Sequence, residues 1–166
     1  MPPTAPYNIV RQRSYTVEFN NSLAGSGLNS TNYLQSNVQI DAVYDFLVVD
    51  WTAVVFCDAV VGASIAGMAA GYGGGSTAPT AAGNIFPDIS QFRCNVQFGD
   101  YWLGDKPFPV SARFGNAEFP YRPDRPQAVK RGQTISMLFY NDTAAGVGFN
   151  ARGRFTFNGY DVTLNS

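Results

Sequence analysis

The chain has no histidine. That removes the commonest general base, the usual activator of a serine or cysteine nucleophile and the commonest metal ligand. It has two cysteines, Cys57 and Cys94, far apart and among apolar neighbours. With no imidazole and no clustered thiols, a structural zinc site is excluded on ligand count. Such cysteines pack as small hydrophobes, and a disulfide between them would need their two strands to face each other across the core. There are two Lys and two Glu against nine Arg and ten Asp. Lys and Glu favour helices whereas Asp serves turns, so this balance argues against helical structure. No apolar run is long enough to cross a membrane as a helix. The opening Met-Pro-Pro-Thr-Ala-Pro has neither the basic nor the apolar region of a signal peptide.

Charge is scarce as well. Charged residues make up 14% of 166 residues and the net charge is −1, against roughly 25% in an ordinary soluble domain. Two readings fit: a surface of Asn, Ser, Thr and Gln, or a surface that lies packed against a partner. A near-neutral chain makes no global electrostatic claim on nucleic acid or anionic lipid. The length suits one domain with a real core.

What is present is alternation. Val147, Phe149, Ala151, Phe155 and Phe157 fall on one face of an extended segment, with Asn150, Arg152, Arg154 and Thr156 on the other. That period of two is an antiparallel strand with one buried and one wet face. Similar patterns predict strands at 8–20, with Tyr15, Val17 and Phe19 inward, and at 90–98, with Phe92, Cys94, Val96 and Phe98 inward. The apolar stretch from Val38 to Cys57 reads as two strands, 38–49 and 51–57, divided by Asp50. Residues 108–114 read as extended, 119–132 as mostly extended because of their prolines, and 134–140 as a strand. Gly99-Asp100 marks a turn. Asn158-Gly159 carries the composition of a hairpin turn, with a return strand through Tyr160 to Leu164. Residues 1–7 read as an extended arm and 21–36 as a loop.

Residues 59–87 carry no charged side chain, and 59–84 contain seven Gly and eight Ala. Asp58 as a cap, Val61, Ile65 and Met68 at helical spacing, and Gly71 as a stop allow a short helix at the start of this segment. Gly62 and Gly67 oppose it by about 1 kcal/mol each, leaving a loop as the other reading. The sum is eight or nine strands in a single all-β domain over 1–166. We expect an antiparallel β-sandwich, a jelly roll first and an immunoglobulin-like sandwich second.

Candidate chemistry is thin. Asp41, Asp45, Asp50 and Asp58 lie close in sequence and Glu18 is on another strand; a glycosidase would use two such acids, but solvated strand and turn positions account for them. Gly71–Gly75 lacks the Gly-Lys-Ser/Thr ending of a phosphate loop. Candidate partner contacts are the basic pair Arg11 and Arg13, the small-residue segment around Tyr72, Gly73 and Gly74, and the run Tyr121, Arg122, Arg125 and Arg131. Basic and aromatic interleaving binds single-stranded nucleic acid elsewhere, but Asp124 interrupts this run, which suits an acidic protein surface or plain solvent better. Tyr101 and Trp102, between two turns, are either core or a stacking platform for carbohydrate.

From Phe92 to Tyr160 the chain runs as an alternating strand, an aromatic turn, the stretch PFPVSARFGNAEFPYRP, a strand ending in FYNDTA and a last strand ending in FNGY. This resembles small jelly-roll accessory proteins of tailed bacteriophage particles, the cement and minor structural proteins of the virion. The likeness is one of pattern over about half the chain. It implies a virion protein, trimeric, bound outside the shell to the major capsid protein or other virion proteins, with no cofactor, no catalytic residue, no membrane and no direct nucleic-acid contact. A neck or tail component, or a lectin-like module for host surface carbohydrate, is the alternative.

Overall fold

The computed structural model describes residues 7–24, 32–59, 68–70, 92–116, 118–142 and 149–164, with side chains for 7–19, 32–55, 92–116, 118–142 and 153–163. Two antiparallel sheets face each other. In the first, β1 (Tyr7–Ala24) pairs with β10 (Phe149–Leu164), which pairs with β3 (Asp45–Ala59). The far edge of β3 carries β8 (Gln127–Val129) along Phe46–Val48 and β4 (Met68–Ala70) along Val55–Cys57. In the second, β2 (Leu34–Gln39) pairs with β9 (Thr134–Asn141), which pairs with β5 (Phe92–Phe98). The far edge of β5 carries the two-residue strands β6 (Tyr101–Trp102) and β7 (Phe108–Pro109). A single helical turn, α1 (Val110–Arg113), follows β7.

The alternation of each strand decides what is buried. Tyr15, Val17 and Phe19 from β1, with Phe155 and Phe157 from β10, face Phe92, Cys94, Val96 and Phe98 from β5 and Ile135, Met137 and Phe139 from β9. The sheets meet ring to ring: Phe19 stacks on Phe139 at 5.2 Å, and Phe139 meets Phe155 edge-on at 5.6 Å. Val110 and Phe114 close one side. A Phe buried this fully contributes about 2–3 kcal/mol.

Trp51, fully buried, organises the flank of the first sheet. Its indole N–H donates to the Arg113 carbonyl, and Tyr121 stacks on it at 5.2 Å. Tyr121 and Trp51 also exchange two backbone hydrogen bonds, and the Ala53 N–H donates to the Gly115 carbonyl. The connection from 114 to 121 is thereby held to the edge of β3.

Several expectations change. The first strand begins at Tyr7, inside the expected arm, and continues to Ala24, inside the expected loop. The loop's other end is also strand, since β2 begins at Leu34. Asp50 does not divide the apolar stretch. The break falls at residues 40–44, and β3 runs through Asp50, whose outward carboxylate accepts from Asn158 Nδ2 at 2.7 Å. Nor is Asn158-Gly159 a hairpin: β10 passes straight through it. Opposite it, Asn158 pairs with Asp50 and Gly159 with Val48, so Val49 is an extra residue, a β-bulge. The bulge shifts β3's alternation by one, which is why both Val48 and Trp51 point inward. In the Gly/Ala-rich segment, Ala59 ends β3 and Met68–Ala70 is strand where the short helix was expected. The rest of that segment lies outside the described residues. Residues 108–114 are not wholly extended, because Val110–Arg113 turn helically. Cys94 is a buried free thiol, unbonded to Cys57, and burial pushes its pKa up.

Candidate interaction surfaces

Arg11 and Arg13 point, through the alternation of β1, toward the inter-sheet space at one end of the sandwich. They do not reach into solvent for a partner. Arg11 Nε donates to Asp161 Oδ2 at 2.6 Å, and Arg13 donates to Asp41 Oδ2 at 2.7 Å. Each arginine also contacts the other aspartate, Arg11 to Asp41 at 3.1 Å and Arg13 to Asp161 at 3.3 Å. Asp161 on β10 is fully buried; Asp41 lies in the connection between β2 and β3. The hydrogen bond from Arg13, then that from the Val43 N–H, holds the Asp41 carboxyl below its usual range. The same bond raises Arg13. The Asp41 N–H donates to the Tyr15 hydroxyl at 3.0 Å, and the Gly132 N–H to the Asp41 carbonyl. The four charged groups therefore clip β1, β10 and the β2–β3 connection together. This is an internal fastening of the sandwich end.

Beside the clip lies a groove of about 520 Å³ lined by Val43, Asp45, Lys130, Arg131, Val162 and Thr163. Its geometry comes from strand register. Val162 pairs with Ile9 on one side and Asp45 on the other, and residues opposite each other in an antiparallel pair share a face. Val129 pairs with Phe46, which brings the following residue, Lys130, next to Asp45. The Arg131 N–H donates to Asp45 Oδ1 at 2.9 Å. Val162 forms the floor at 1% exposure, while Ile9 (63%) and Val43 (59%) stand exposed around it.

The run from Tyr121 to Arg131 divides. Tyr121 belongs to the edge of the core through Trp51. Arg122, Arg125, Lys130 and Arg131 are exposed, and none of these side chains makes an ion pair among the described residues. Tyr101 (57% exposed) and Trp102 (39%) lie outside the core, on the short hairpin strand after the Gly99-Asp100 turn. Tyr72, Gly73 and Gly74 lie outside the described residues.

The wet face of the first sheet is a ladder of polar cross-strand pairs. Ser14 donates to Asn158 at 2.6 Å, Thr16 meets Thr156 at 3.3 Å, and Arg154 donates to Glu18 at 2.6 Å. Arg154 thus has its carboxylate within its own chain. On the second sheet Arg93 makes a two-pronged contact with Asp142 and lies 5.0 Å over the Tyr140 ring. Of the carboxylates considered as a catalytic set, Asp41 is engaged by arginines, Asp45 by a backbone amide, Asp50 by Asn158 and Glu18 by Arg154, and the Asp58 side chain lies outside those described. Among the described residues no group of three or more His, Cys, Asp or Glu is placed to hold a metal ion.

Residue spacing did not point to the groove. Its residues come from the β2–β3 connection (Val43), β3 (Asp45), the turn after β8 (Lys130 and Arg131) and β10 (Val162 and Thr163), and Ile9 faces outward because Val10 is an extra residue in the pairing with β10. The one available signal was the adjacent apolar pair Ile9-Val10, which breaks the alternation of β1. Comparison with protein-family models, with curated proteins and with solved structures finds no match to the chain.

Proposed function

We propose that the chain is a non-enzymatic structural protein of a virus particle: a jelly-roll cement or minor capsid protein that binds the outside of the assembled shell, as a trimer, and reinforces contacts between shell subunits. The observation that carries this reading is the strand order. One sheet runs β1-β10-β3 with β8 and β4 along the far edge of β3, and the other runs β2-β9-β5 with β6 and β7 along the far edge of β5. First and last strands lie side by side, β1, β2 and β3 fall in alternate sheets, and so do β8, β9 and β10, an order that supports two interleaved Greek keys. Jelly rolls build viral capsid and lectin domains. Composition favours the first use: charged residues are only 14% of the chain, and the exposed cations of 122–131 make no ion pair among the described residues.

The action is binding energy alone. A protein that binds only the assembled shell stabilises that state by linkage, and a trimer multiplies weak contacts through effective concentration. The test is quantitative mass spectrometry of purified particles together with re-addition of the chain to particles stripped of it. Stoichiometric recovery, a trimer by light scattering and raised thermal stability of the particle are expected. A monomer that does not bind particles would overturn the reading.

A second reading rests on Tyr101 and Trp102. Their exposure on a hairpin suits stacking against a sugar ring, which would make the chain a lectin-like module of a tail or host-facing surface. Loss of carbohydrate binding in Trp102→Ala would support it, and a silent glycan array would count against it.

A further inference from the structure

The groove lined by Val43, Val162, Lys130 and Arg131 combines two properties that rarely share a free surface. Val162 on its floor and Val43 on its rim are aliphatic, Val43 is more than half exposed, and Ile9, the strand partner of Val162, stands exposed beside it. Its other wall holds Lys130 and Arg131, exposed cations with no ion pair among the described residues. The groove's own carboxylate, Asp45, is tied through Oδ1 to the Arg131 amide. Counting side chains, the groove carries two positive charges and one negative, an excess of one. The cations beyond it do not add to this: Arg11 and Arg13 are engaged by Asp161 and Asp41.

We propose that this groove receives a single carboxylate flanked by aliphatic side chains, carried on an extended segment of the shell protein. The inference rests on the particle reading above and specifies its contact. The aliphatic neighbours cover Ile9, Val43 and Val162, and the carboxylate lies between Lys130 and Arg131. An arginine holds such a group in two-pronged geometry. A polyanion is the poorer fit: phosphate-backbone binding draws on several cations at once, and half of the groove wall is apolar.

The test is an NMR titration of the ¹⁵N-labelled full chain with three capped peptides, acetyl-Val-Ala-Asp-Ala-Val-amide and its Asn and Lys counterparts. The acidic peptide is expected to shift the amides of Val43, Arg131 and Thr163, with the Asn and Lys peptides weaker by about tenfold or more. Lys130→Glu with Arg131→Glu, both exposed and therefore compatible with folding, abolishes those shifts while leaving the rest of the spectrum in place. Three results would overturn the proposal. The first is equal shifts from the acidic and Asn peptides; the second is a shift of the same amides by a short single-stranded DNA but not by the acidic peptide; the third is movement of the same amides with protein concentration alone, which would assign the groove to a second copy. Particle binding by the unaltered chain decides the particle reading separately. If the unaltered chain binds particles and the double variant binds equally well, the groove is not the contact although the particle reading stands.

Discussion

Gly159 on β10 lies directly beneath the carbonyl of Leu47 on β3: a Cβ built on it would come within 2.1 Å of that oxygen. The bulge at Val49 brings the strands this close, and glycine is there to admit the neighbouring backbone. Gly159→Ala must therefore push β3 and β10 apart where Val48 and Phe46 enter the core. A destabilisation of roughly 2–3 kcal/mol is expected, read as a lower urea midpoint with an unchanged slope. A substitution without effect would mean that the bulge is soft.

Asp161 is fully buried and receives two guanidinium groups. Removing one partner from a buried ion pair costs about 3–5 kcal/mol because the other charge is stranded. Both arginines keep Asp41, and Arg11 is half exposed, so Asp161→Ala should fall at or below the lower end of that range. A double-mutant cycle of Asp161→Ala with Arg13→Ala measures the coupling. Additive effects would show that the clip does not act as a unit.

The clip also sets a pH dependence. Asp41 has a folded pKa below its usual 3.8 because it accepts from Arg13. A group whose folded pKa is depressed contributes its stability above the unfolded value and loses it as pH falls through the folded one. The stability difference between the wild type and Asp41→Asn should be constant above about pH 5 and shrink as pH drops below the usual carboxylate range. A difference that grew on acidification would contradict the assignment.

Trp51 donates its indole N–H to the Arg113 carbonyl and stacks on Tyr121. Trp51→Phe keeps much of the packing but leaves that carbonyl without its donor, for an expected loss of about 1–3 kcal/mol. Because the same residue anchors the 114–121 connection, hydrogen exchange at Ala53 and Tyr121 should rise before that of the β9–β5 pair.

Trp102, by contrast, should be removable. Its exposure places Trp102→Ala within about 0.5 kcal/mol of wild type, measurable by thermal unfolding. A larger loss would show that it packs against residues outside those described, and would weaken its use as a free stacking platform.

The alternation of apolar side chains was enough to reach an antiparallel all-β architecture and most of its core. Tyr15, Val17, Phe19, Phe92, Cys94, Val96, Phe98, Phe155 and Phe157 are inward as their spacing predicts. The failures cluster where one residue is inserted. Asp50 looked like a break and Asn158-Gly159 looked like a turn, because a local pattern cannot reveal that these two positions pair across a bulge. Local composition reports on a residue's own backbone, whereas a bulge belongs to two strands more than a hundred residues apart. The same limit hid the ion-pair clip. Arg11 and Arg13 were legible as a basic pair, but their partners come from a connection and from the last strand. Phe108 to Phe114 misled for a different reason: four residues of helical turn are too short to leave a period.

The pairing of the first strand with the last also governs when the protein can fold. Arg11 and Asp161 are 150 residues apart, and β1 has no sheet neighbour but β10 among the described residues. On a ribosome, β1 emerges with its aromatic face uncovered and waits for about 150 further residues before β10 can pair with it. Contacts this distant in sequence form slowly, on the scale of about milliseconds to seconds. During that interval an open strand edge is available to other chains. The inward-facing Arg11 and Arg13 then have a role before the fold exists: charged side chains on a waiting edge discourage the wrong strand from pairing with it, and they are neutralised when Asp161 arrives.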